Sequence, residues 1–190
     1  MDTFNSDVLE RIAVAVKLAN AHAAATLLPG GQNTGPARIF ETHHYQPPDI
    51  ACDWSDVAEL AEQLDGLLHR IAAGDHDTAI EKINNELSEF DVTPYVDNGP
   101  DGCVLHFHTS TASFADGWAG GIYTALALAY STDQASRIGR CTGRSCDRLF
   151  LDRGRNQQRR YCSLQCQNRE KSAAYRRVHT RTSVVRQERH

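Results

Sequence analysis

Residues 141–166 read CTGRSCDRLFLDRGRNQQRRYCSLQC, and this stretch decides how the chain is organised. Its cysteines follow the spacing C-x4-C-x15-C-x3-C, which makes Cys141 and Cys146 one pair and Cys162 and Cys166 another. Two close pairs joined by such a spacer are typical of zinc sites, in which four thiolates surround the ion at about 2.3 Å. Since four protein ligands leave no position for water, we expect a structural Zn2+ ion and not a catalytic one.

The start of the chain predicts the compartment. Residues 1–7 are acidic, and the apolar run that follows at residues 12–16 ends at Lys17, which is not the pattern of a secretory signal. We therefore expect a cytoplasmic protein with reduced cysteines, because disulfides are rare there. The longest apolar run, residues 121–130, has about half the length needed to cross a bilayer, so no membrane partner is expected.

Charge divides the chain into two parts. Residues 137–190 contain fifteen Lys and Arg against four Asp and Glu, a net charge of +11, whereas the whole chain carries −4. Residues 1–136 therefore hold five basic and twenty acidic residues, a net charge of −15. Fourteen of the fifteen basic residues are arginine, which grips phosphate and guanine bidentately. This asymmetry predicts an acidic domain over 1–136 and a basic module over 137–190 that meets a polyanion.

The cysteines stand within a series of short motifs: CTGRSC at residues 141–146, RRYCS at 159–163 and CQNREK at 166–171. Over about residues 138–180 this series resembles the CGNR-type zinc finger of bacteria, with Gln167 where that family has its namesake glycine. The resemblance implies that residues 1–136 form the α/β domain called ABATE. It also implies a stress-induced transcription regulator.

Apolar residues recur at three- and four-residue steps along the acidic domain, the period of helices with one buried face. Helices are predicted at residues 6–28, from a cap at Asp53 or Ser55 to Ala73, at 77–90 and at 118–132. The predicted buried face of the second is Val57, Leu60, Ala61, Leu64, Leu67, Leu68 and Ile71, and that of the third is Ile80, Ile83, Leu87 and Phe90.

The period changes to two on either side of a turn cluster at residues 97–102, which predicts a β-hairpin of residues 92–96 and 103–108. The chain is thus predicted to be α+β. A mainly helical N-terminal domain with a β-hairpin precedes a small treble-clef-like zinc finger.

Two features of the acidic domain have more than one interpretation. His106 and His108 share one face of the second strand, where they form either a polar outer face, the favoured interpretation, or a site that binds a ligand or senses pH. Gly120-Gly121 either lets another backbone approach closely or makes a weak start to a helix.

Between its first and last cysteines, the basic module has few large apolar residues with which to form a core: Leu149, Phe150, Leu151, Tyr161 and Leu164. Zinc binding, worth about 10–16 kcal/mol in zinc-finger peptides, is expected to supply the missing stability. We predict that Cys141 and Cys146 lie on a knuckle and that residues 149–151 pair with residues 159–161. Cys162 and Cys166 then anchor the first turn of a helix that runs to about Val178 or beyond.

Arginines on and near that helix are the candidates for nucleic-acid contact. Arg169 and Arg176 are seven residues apart and share one side, so we expect them to contact bases or the nearby backbone. Asn168 pairs with adenine or caps the helix turn, and Lys171 extends the basic surface. The residues expected to meet phosphates are Arg153, Arg155, Arg159, Arg160, Arg177 and Arg181. The competing interpretation is an ordinary solvated charged face.

Three classes of function follow. The favoured one is a nucleoid-associated, DNA-binding transcription regulator whose N-terminal domain dimerises or receives a signal, such as a small-molecule effector. The second is an RNA-binding or ribosome-associated zinc protein. The third is a small-molecule-binding body with an accessory finger. An enzyme is not expected, because residues 1–136 show no catalytic motif at a recognisable spacing. A homodimer is expected, since one finger rarely gives enough specific surface.

Overall fold

The computed structural model describes residues 3–27, 39–40, 54–90, 92–99, 102–109 and 111–187. The elements are α1 (Thr3–Leu27), α2 (Trp54–Ala73), α3 (His76–Glu89), β1 (Pro94–Gly99), β2 (Gly102–Phe107), α4 (Phe114–Ser131), a 3-10 turn (Ala135–Arg137), β3 (Ile138–Arg140), β4 (Leu149–Leu151) and α5 (Leu164–Gln187). The predicted α+β class is confirmed: a mainly helical N-terminal part with an antiparallel hairpin is followed by a small cysteine-cluster region.

The helices bury the faces that their apolar period predicts. All seven residues of the predicted α2 face are buried, and they pack against α1, whose Ile12 and Leu18 are fully inaccessible. In α3, Ile83 is buried but Ile80 is 40% exposed, so its predicted burial is wrong. The buried line of α3 runs through Ala79, Ile83 and Glu86, and Ile80 lies one residue further round the helix, beyond the contact with α4.

The predicted hairpin of the acidic domain is confirmed, but its strands extend further into the predicted turn: β1 runs from Pro94 to Gly99 instead of over residues 92–96. β1 and β2 pair in antiparallel register from Pro94 opposite Phe107 to Gly99 opposite Gly102. Gly102 has a φ of +123°, a conformation that side chains other than glycine rarely adopt. Only part of the hairpin is covered, since Val96 is 65% exposed and Leu105 is 40% exposed.

Helix α4 begins earlier than predicted, at Phe114 instead of Trp118. Ser113 caps it: the Ser113 hydroxyl accepts from the Asp116 N–H at 3.1 Å and donates to the Asp116 carboxylate at 2.7 Å. Gly120 lies inside the helix, against β2. A Cβ at this position would lie 2.4 Å from the carbonyl oxygen of Phe107, so Gly120 serves a close backbone approach, and the glycine pair lies within the helix and not at its start.

The two strands next to the cysteines pair with each other. β3 is antiparallel to β4, with Ile138 opposite Leu151 and Arg140 opposite Leu149. The predicted pairing of residues 149–151 with residues 159–161 is therefore wrong. All three residues of β4 are buried, and Ile138, Leu149 and Leu151 belong to the same hydrophobic core as α1 and α2. One core thus crosses the predicted boundary between residues 136 and 137.

An amide side chain of α1 holds the edge of β4. Asn20 Nδ2 donates to the carbonyl oxygen of Leu149 at 3.0 Å, and the N–H of Leu149 donates to Asn20 Oδ1 at 3.0 Å. The amide therefore satisfies both backbone groups of one strand residue, as a neighbouring strand does. It fixes the register of β4 on α1 across 129 residues of sequence.

Within the described ranges, no helix has both the length and the apolar character that crossing a membrane requires.

We predict opposite effects for two glycine substitutions in helices. Gly120→Ala is expected to lower the free energy of unfolding by about 1–3 kcal/mol, because the added methyl group meets the backbone of β2. Gly66→Ala, in exposed and open space on α2, is the matched control and should raise it by about 0.5–1 kcal/mol. Urea unfolding measures both values. Equal effects of the two substitutions would contradict the close approach.

We predict that Asn20→Ala lowers the free energy of unfolding by about 1–3 kcal/mol, because it leaves both backbone groups of Leu149 without a partner. Amide hydrogen exchange at Leu149 should accelerate by more than exchange in α3. The control Asn84→Ala, at an exposed position on α3, should change stability by less than about 0.5 kcal/mol. If the two alanine variants unfold alike, the amide contact does not anchor β4.

Candidate metal centre

The side chains of Cys141, Cys146, Cys162 and Cys166 converge on one point. Their sulfur atoms all lie within 4.8 Å of one another, and Cys162 Sγ is 3.6 Å from both Cys146 Sγ and Cys166 Sγ. Four sulfurs placed tetrahedrally at 2.3 Å from a central ion are about 3.8 Å apart, whereas a disulfide brings two sulfurs to about 2.0 Å. The cluster therefore fits a four-sulfur metal site.

Local hydrogen bonds place the first pair of cysteines on a knuckle between β3 and β4. The N–H of Cys141 donates to the carbonyl oxygen of Arg148 at 2.9 Å, which continues the strand pairing across the loop. The N–H of Cys146 donates to the carbonyl oxygen of Gly143 at 3.0 Å, which turns the chain so that the second thiol meets the first. The predicted knuckle is confirmed.

The second pair stands at the beginning of α5. Cys162 precedes the helix, and its N–H donates to Cys141 Sγ at 3.4 Å. Cys166 lies in the first turn, where its N–H donates to the hydroxyl of Ser163 at 3.2 Å, so Ser163 caps the helix. The predicted anchoring of the helix by Cys166 is confirmed.

Electrostatics within the cluster favour a cation. Burial opposes ionisation of Cys141, but the N–H groups of Cys162 and Gly143 outweigh it and lower the pKa of this thiol. Burial, followed by the neighbouring thiols, raises the pKa of Cys162 to about 12. One thiolate therefore forms readily while further negative charge is resisted. A bound dication would remove that conflict, because it stabilises all four thiolates together.

A buried carboxylate organises the loop between the two pairs. Asp152 Oδ1 accepts from the Gly154 N–H at 2.7 Å, and Asp152 Oδ2 accepts from the Arg159 N–H at 2.8 Å. These two bonds turn residues 152–159 back toward the cysteines and away from a strand pairing with β4. Sequence reasoning did not assign Asp152 a role, although an Asp two residues before a Gly is a recognised turn signal.

Two of the arginines predicted to contact phosphates, Arg153 and Arg159, instead bond to other residues of the protein. The guanidinium of Arg159 donates to the carbonyl oxygens of Tyr161 at 2.9 Å and Leu151 at 3.2 Å, also bonds to that of Cys162, and lies 4.9 Å from the centre of the Phe150 ring. Arg153 forms an ion pair with Glu10 of α1 at 2.6 Å. Arg159 thus supports the cysteine cluster, and Arg153 ties the loop to the N-terminal part.

A further ion pair joins the knuckle to α5. Glu170 Oε1 accepts from the N–H of Arg144 at 3.0 Å, and Glu170 Oε2 lies 3.8 Å from the Arg144 guanidinium. The base of α5 is therefore held by Cys166 and Glu170, which lie one turn apart on the same side of the helix.

Beyond its base, α5 extends into solvent. The helix has 24 residues and is about 36 Å long. Among its described side chains, residues 164–177, only Cys166 is buried, while Leu164 is 76% exposed and Tyr175 is 66% exposed. The predicted nucleic-acid residues exposed on α5 are Asn168, Arg169, Lys171, Arg176 and Arg177. The side chain of Arg181 lies outside the described residues.

The remaining predicted contacts, Arg155 and Arg160, are exposed in the loop before α5. Five side chains form no hydrogen bond or ion pair with any described residue: Arg155, Arg160, Arg169, Lys171 and Arg177. On α5, Arg169 and Arg176 lie two turns apart on one side, and Lys171, two residues after Arg169, lies on the opposite side. The loop, through Arg155 and Arg160, and α5, through Arg169, Lys171 and Arg177, thus carry positive charge that the described part of the protein does not neutralise.

Comparison with known proteins agrees with this geometry. Residues 137–179 match the family model of the CGNR zinc finger, so the resemblance noted in the sequence is confirmed for the basic module. No curated protein matches the chain. The family match begins at residue 137, and the ABATE-like character of residues 1–136 and the role in stress stay predictions.

Proposed function

We propose that the chain is a zinc-dependent, DNA-binding transcription regulator in which the cysteine cluster holds one Zn2+ ion and α5 binds double-stranded DNA. The observation that carries the proposal is an exposed helix whose base is fixed at the cysteine cluster. On this helix Arg169, Lys171 and Arg177 form no hydrogen bond or ion pair with any described residue. This is a binding role and not an enzymatic one, exercised in the bacterial cytoplasm at the nucleoid.

Zinc suits the four-thiolate donor set because it accepts tetrahedral sulfur ligands without a preference of its own for another geometry. When bound, it would link the knuckle at Cys141 and Cys146 to the start of α5 at Cys162 and Cys166. Four protein ligands leave no open position, so the ion would be structural.

The side of α5 that carries Arg169 and Arg176 is the proposed recognition face. Seven residues of helix rise by about 10 Å, close to three base-pair steps of about 3.4 Å. Ser172 lies between the two arginines on the same side and leaves room for a base edge. Arginine reads guanine bidentately in the major groove of B-form DNA, which admits a helix. The major groove of A-form RNA is too narrow for such contact, so duplex DNA is favoured over RNA.

The proposed phosphate contacts are Arg155, Arg160 and Arg177, with Arg181 continuing the helix. Arg153 and Arg159 are left out, because their guanidinium groups are already paired within the protein. Lys171 lies on the side away from Arg169, so we expect it to add general attraction and no base contact. Two copies of the finger, brought together by the acidic N-terminal part, would supply the specific surface that one finger lacks.

We predict that removing zinc with a chelator exposes the loop and α5 while the helical core stays folded. Residues 152–163 contain no helix or strand and are mostly exposed, whereas α1, α2 and α4 share a large apolar core. Hydrogen exchange should therefore accelerate at residues 152–170 and stay unchanged in α2 and α4. Metal analysis should give one zinc per chain, and Cys166→Ser should reproduce the chelator's effect. Loss of protection throughout the core would show that the ion supports the whole fold.

We predict that the zinc-loaded protein selects a defined motif from random duplex DNA and that Arg169→Ala with Arg176→Ala abolishes the selection. Each bidentate contact to guanine is worth about 1–3 kcal/mol, so each alanine should weaken binding to the selected site by about tenfold to a hundredfold. Lys171→Ala, on the other side of the same helix, is the matched control and should keep the motif while slightly reducing the salt dependence.

The symmetry of the selected DNA sequence tests the proposed homodimer, because a symmetric dimer should select an inverted repeat. Salt-dependent binding without an enriched motif, or tighter binding to structured RNA than to any duplex, would overturn the reading of DNA sequence. The first result would leave only phosphate contact, and the second would favour an RNA-binding zinc protein.

A further inference from the structure

A cleft opens in the N-terminal part, on the opposite segment of α1 from the one that holds β4. It lies between the start of α1, strand β2 and α4, and its volume is about 600 Å³. Small-molecule sites typically enclose about 300–1,000 Å³, so the cleft has room for a compact organic ligand. Its walls combine apolar and polar groups, chiefly Arg11, Leu105, His106, His108, Phe114 and Trp118.

The guanidinium of Arg11 has no hydrogen bond or ion pair with any described residue, although the side chain is half-buried. The other described basic residues of the acidic part do have partners: Arg70 pairs with Asp75 at 3.0 Å, Lys82 pairs with Glu86, and Lys17 has a partner as well. In a segment with twenty acidic residues, a half-buried cation that has no partner in the described ranges is unexpected. Withdrawing a charge from water without a partner is costly, so the arrangement calls for an anion.

Helix α4 makes room for this cation. A Cβ at Gly121 would lie 2.3 Å from Arg11 Nη1, so the guanidinium rests directly on the helix backbone at this position. A glycine inside a helix costs about 1 kcal/mol relative to alanine. Gly121 therefore makes α4 less stable at the position where Arg11 enters the cleft.

Two imidazoles stand next to Arg11. The rings of His106 and His108 are 5.1 Å apart, and the ring of Tyr95 stacks on His106 at 4.8 Å. Burial, and then the charges of His108 and Arg11, lower the pKa of His106, while Asp97 opposes this shift. At neutral pH the ring of His106 is therefore uncharged and offers one N–H donor beside the guanidinium.

The surroundings limit the charge of the ligand. Asp7 lines the mouth of the cleft, and Asp116 on α4 is hydrogen-bonded to Ser113. The cleft contains a single guanidinium, and residues 1–136 carry a net charge of −15, so a dianion or a polyphosphate is disfavoured. A single carboxylate matches the planar fork of one arginine. The ring of Trp118 and the side chain of Leu105 suit an apolar or aromatic body.

We propose that this cleft binds a small organic monocarboxylate, with the carboxylate on Arg11 and the apolar or aromatic body against Phe114 and Trp118. Binding at this site goes beyond the proposed DNA binding and does not depend on it.

Benzoate, phenylacetate and hexanoate are suitable probes, titrated into the zinc-loaded full-length protein. Calorimetry gives the affinity, and tryptophan fluorescence in a Trp54→Phe background, where Trp118 is the remaining tryptophan, reports occupancy of the cleft. Benzamide and benzylamine have nearly the shape of benzoate, but benzamide is neutral and benzylamine is positively charged. At least one carboxylate should bind in the millimolar range or more tightly, and the neutral and cationic analogues of benzoate should bind at least about tenfold more weakly than benzoate.

Arg11→Gln should weaken carboxylate binding by about tenfold or more, because it removes a charge-assisted pair. Gly121→Ala keeps every charge but displaces the guanidinium, and should weaken binding as well. Lys17→Gln removes an exposed cation elsewhere on α1 and should leave affinity unchanged. Zinc content and thermal unfolding show whether each variant is folded.

The proposal is overturned if none of the three carboxylates binds. It is equally overturned if the folded Arg11→Gln and Gly121→Ala variants bind as tightly as the unaltered protein. Retained DNA binding in a protein that binds no carboxylate would reject the cleft alone, whereas carboxylate binding in a protein without DNA affinity would reject only the proposed function.

Discussion

Burial of β4 against α1 is the contact on which the C-terminal part of the molecule depends. Leu149, Phe150 and Leu151 are all buried, which a strand in a small isolated finger has too few neighbours to achieve. Strand β4 of the finger packs into the core of the preceding helices. At the free edge of β4, Asn20 makes the two backbone hydrogen bonds that a further strand would make. The metal ligands start from this fixed strand pair. The position of α5 follows from the core as well as from the metal.

The arginines of the finger divide into two groups that charge alone does not distinguish. Arg159 and Arg153 hold the loop together and hold it on α1, whereas Arg155, Arg160 and Arg169 extend outward without a described partner. The buried carboxylate of Asp152 makes this division possible, because its two hydrogen bonds fix the turn that brings Arg159 back to the cysteines. A net charge of +11 therefore overstates the charge available to a nucleic acid.

Local patterns predicted what depends on local physics. The period of α2, the turn cluster of the β1–β2 hairpin and the spacing of the four cysteines each act within a few residues to a few tens of residues, and each prediction was confirmed. The partner of β4 was missed because pairing is decided by which edge is available, and residues 159–161 are turned away by Asp152. Asn20 and Arg11 were missed because the backbone positions against which they lie, Leu149 and Gly121, are far away in sequence. Each is a polar residue that interrupts the apolar pattern of α1. Such an interruption indicates that the side chain has a role but does not indicate which distant residue it contacts.

Helix α1 contacts both regions for which a function is proposed. Glu10 pairs with Arg153 of the finger loop, and the next residue, Arg11, enters the cleft. Neighbouring residues of a helix point about 100° apart, so Glu10 and Arg11 face different surroundings although they lie in the same turn of α1. A ligand alters DNA affinity only if it binds more tightly to one position of α1 than to another, and linkage makes the effect reciprocal. Because β4 is fixed to α1 by core packing and by Asn20, a shift of the helix would carry the knuckle with it. The fold therefore provides a mechanical connection between cleft and finger, and its use depends on whether α1 has a second stable position.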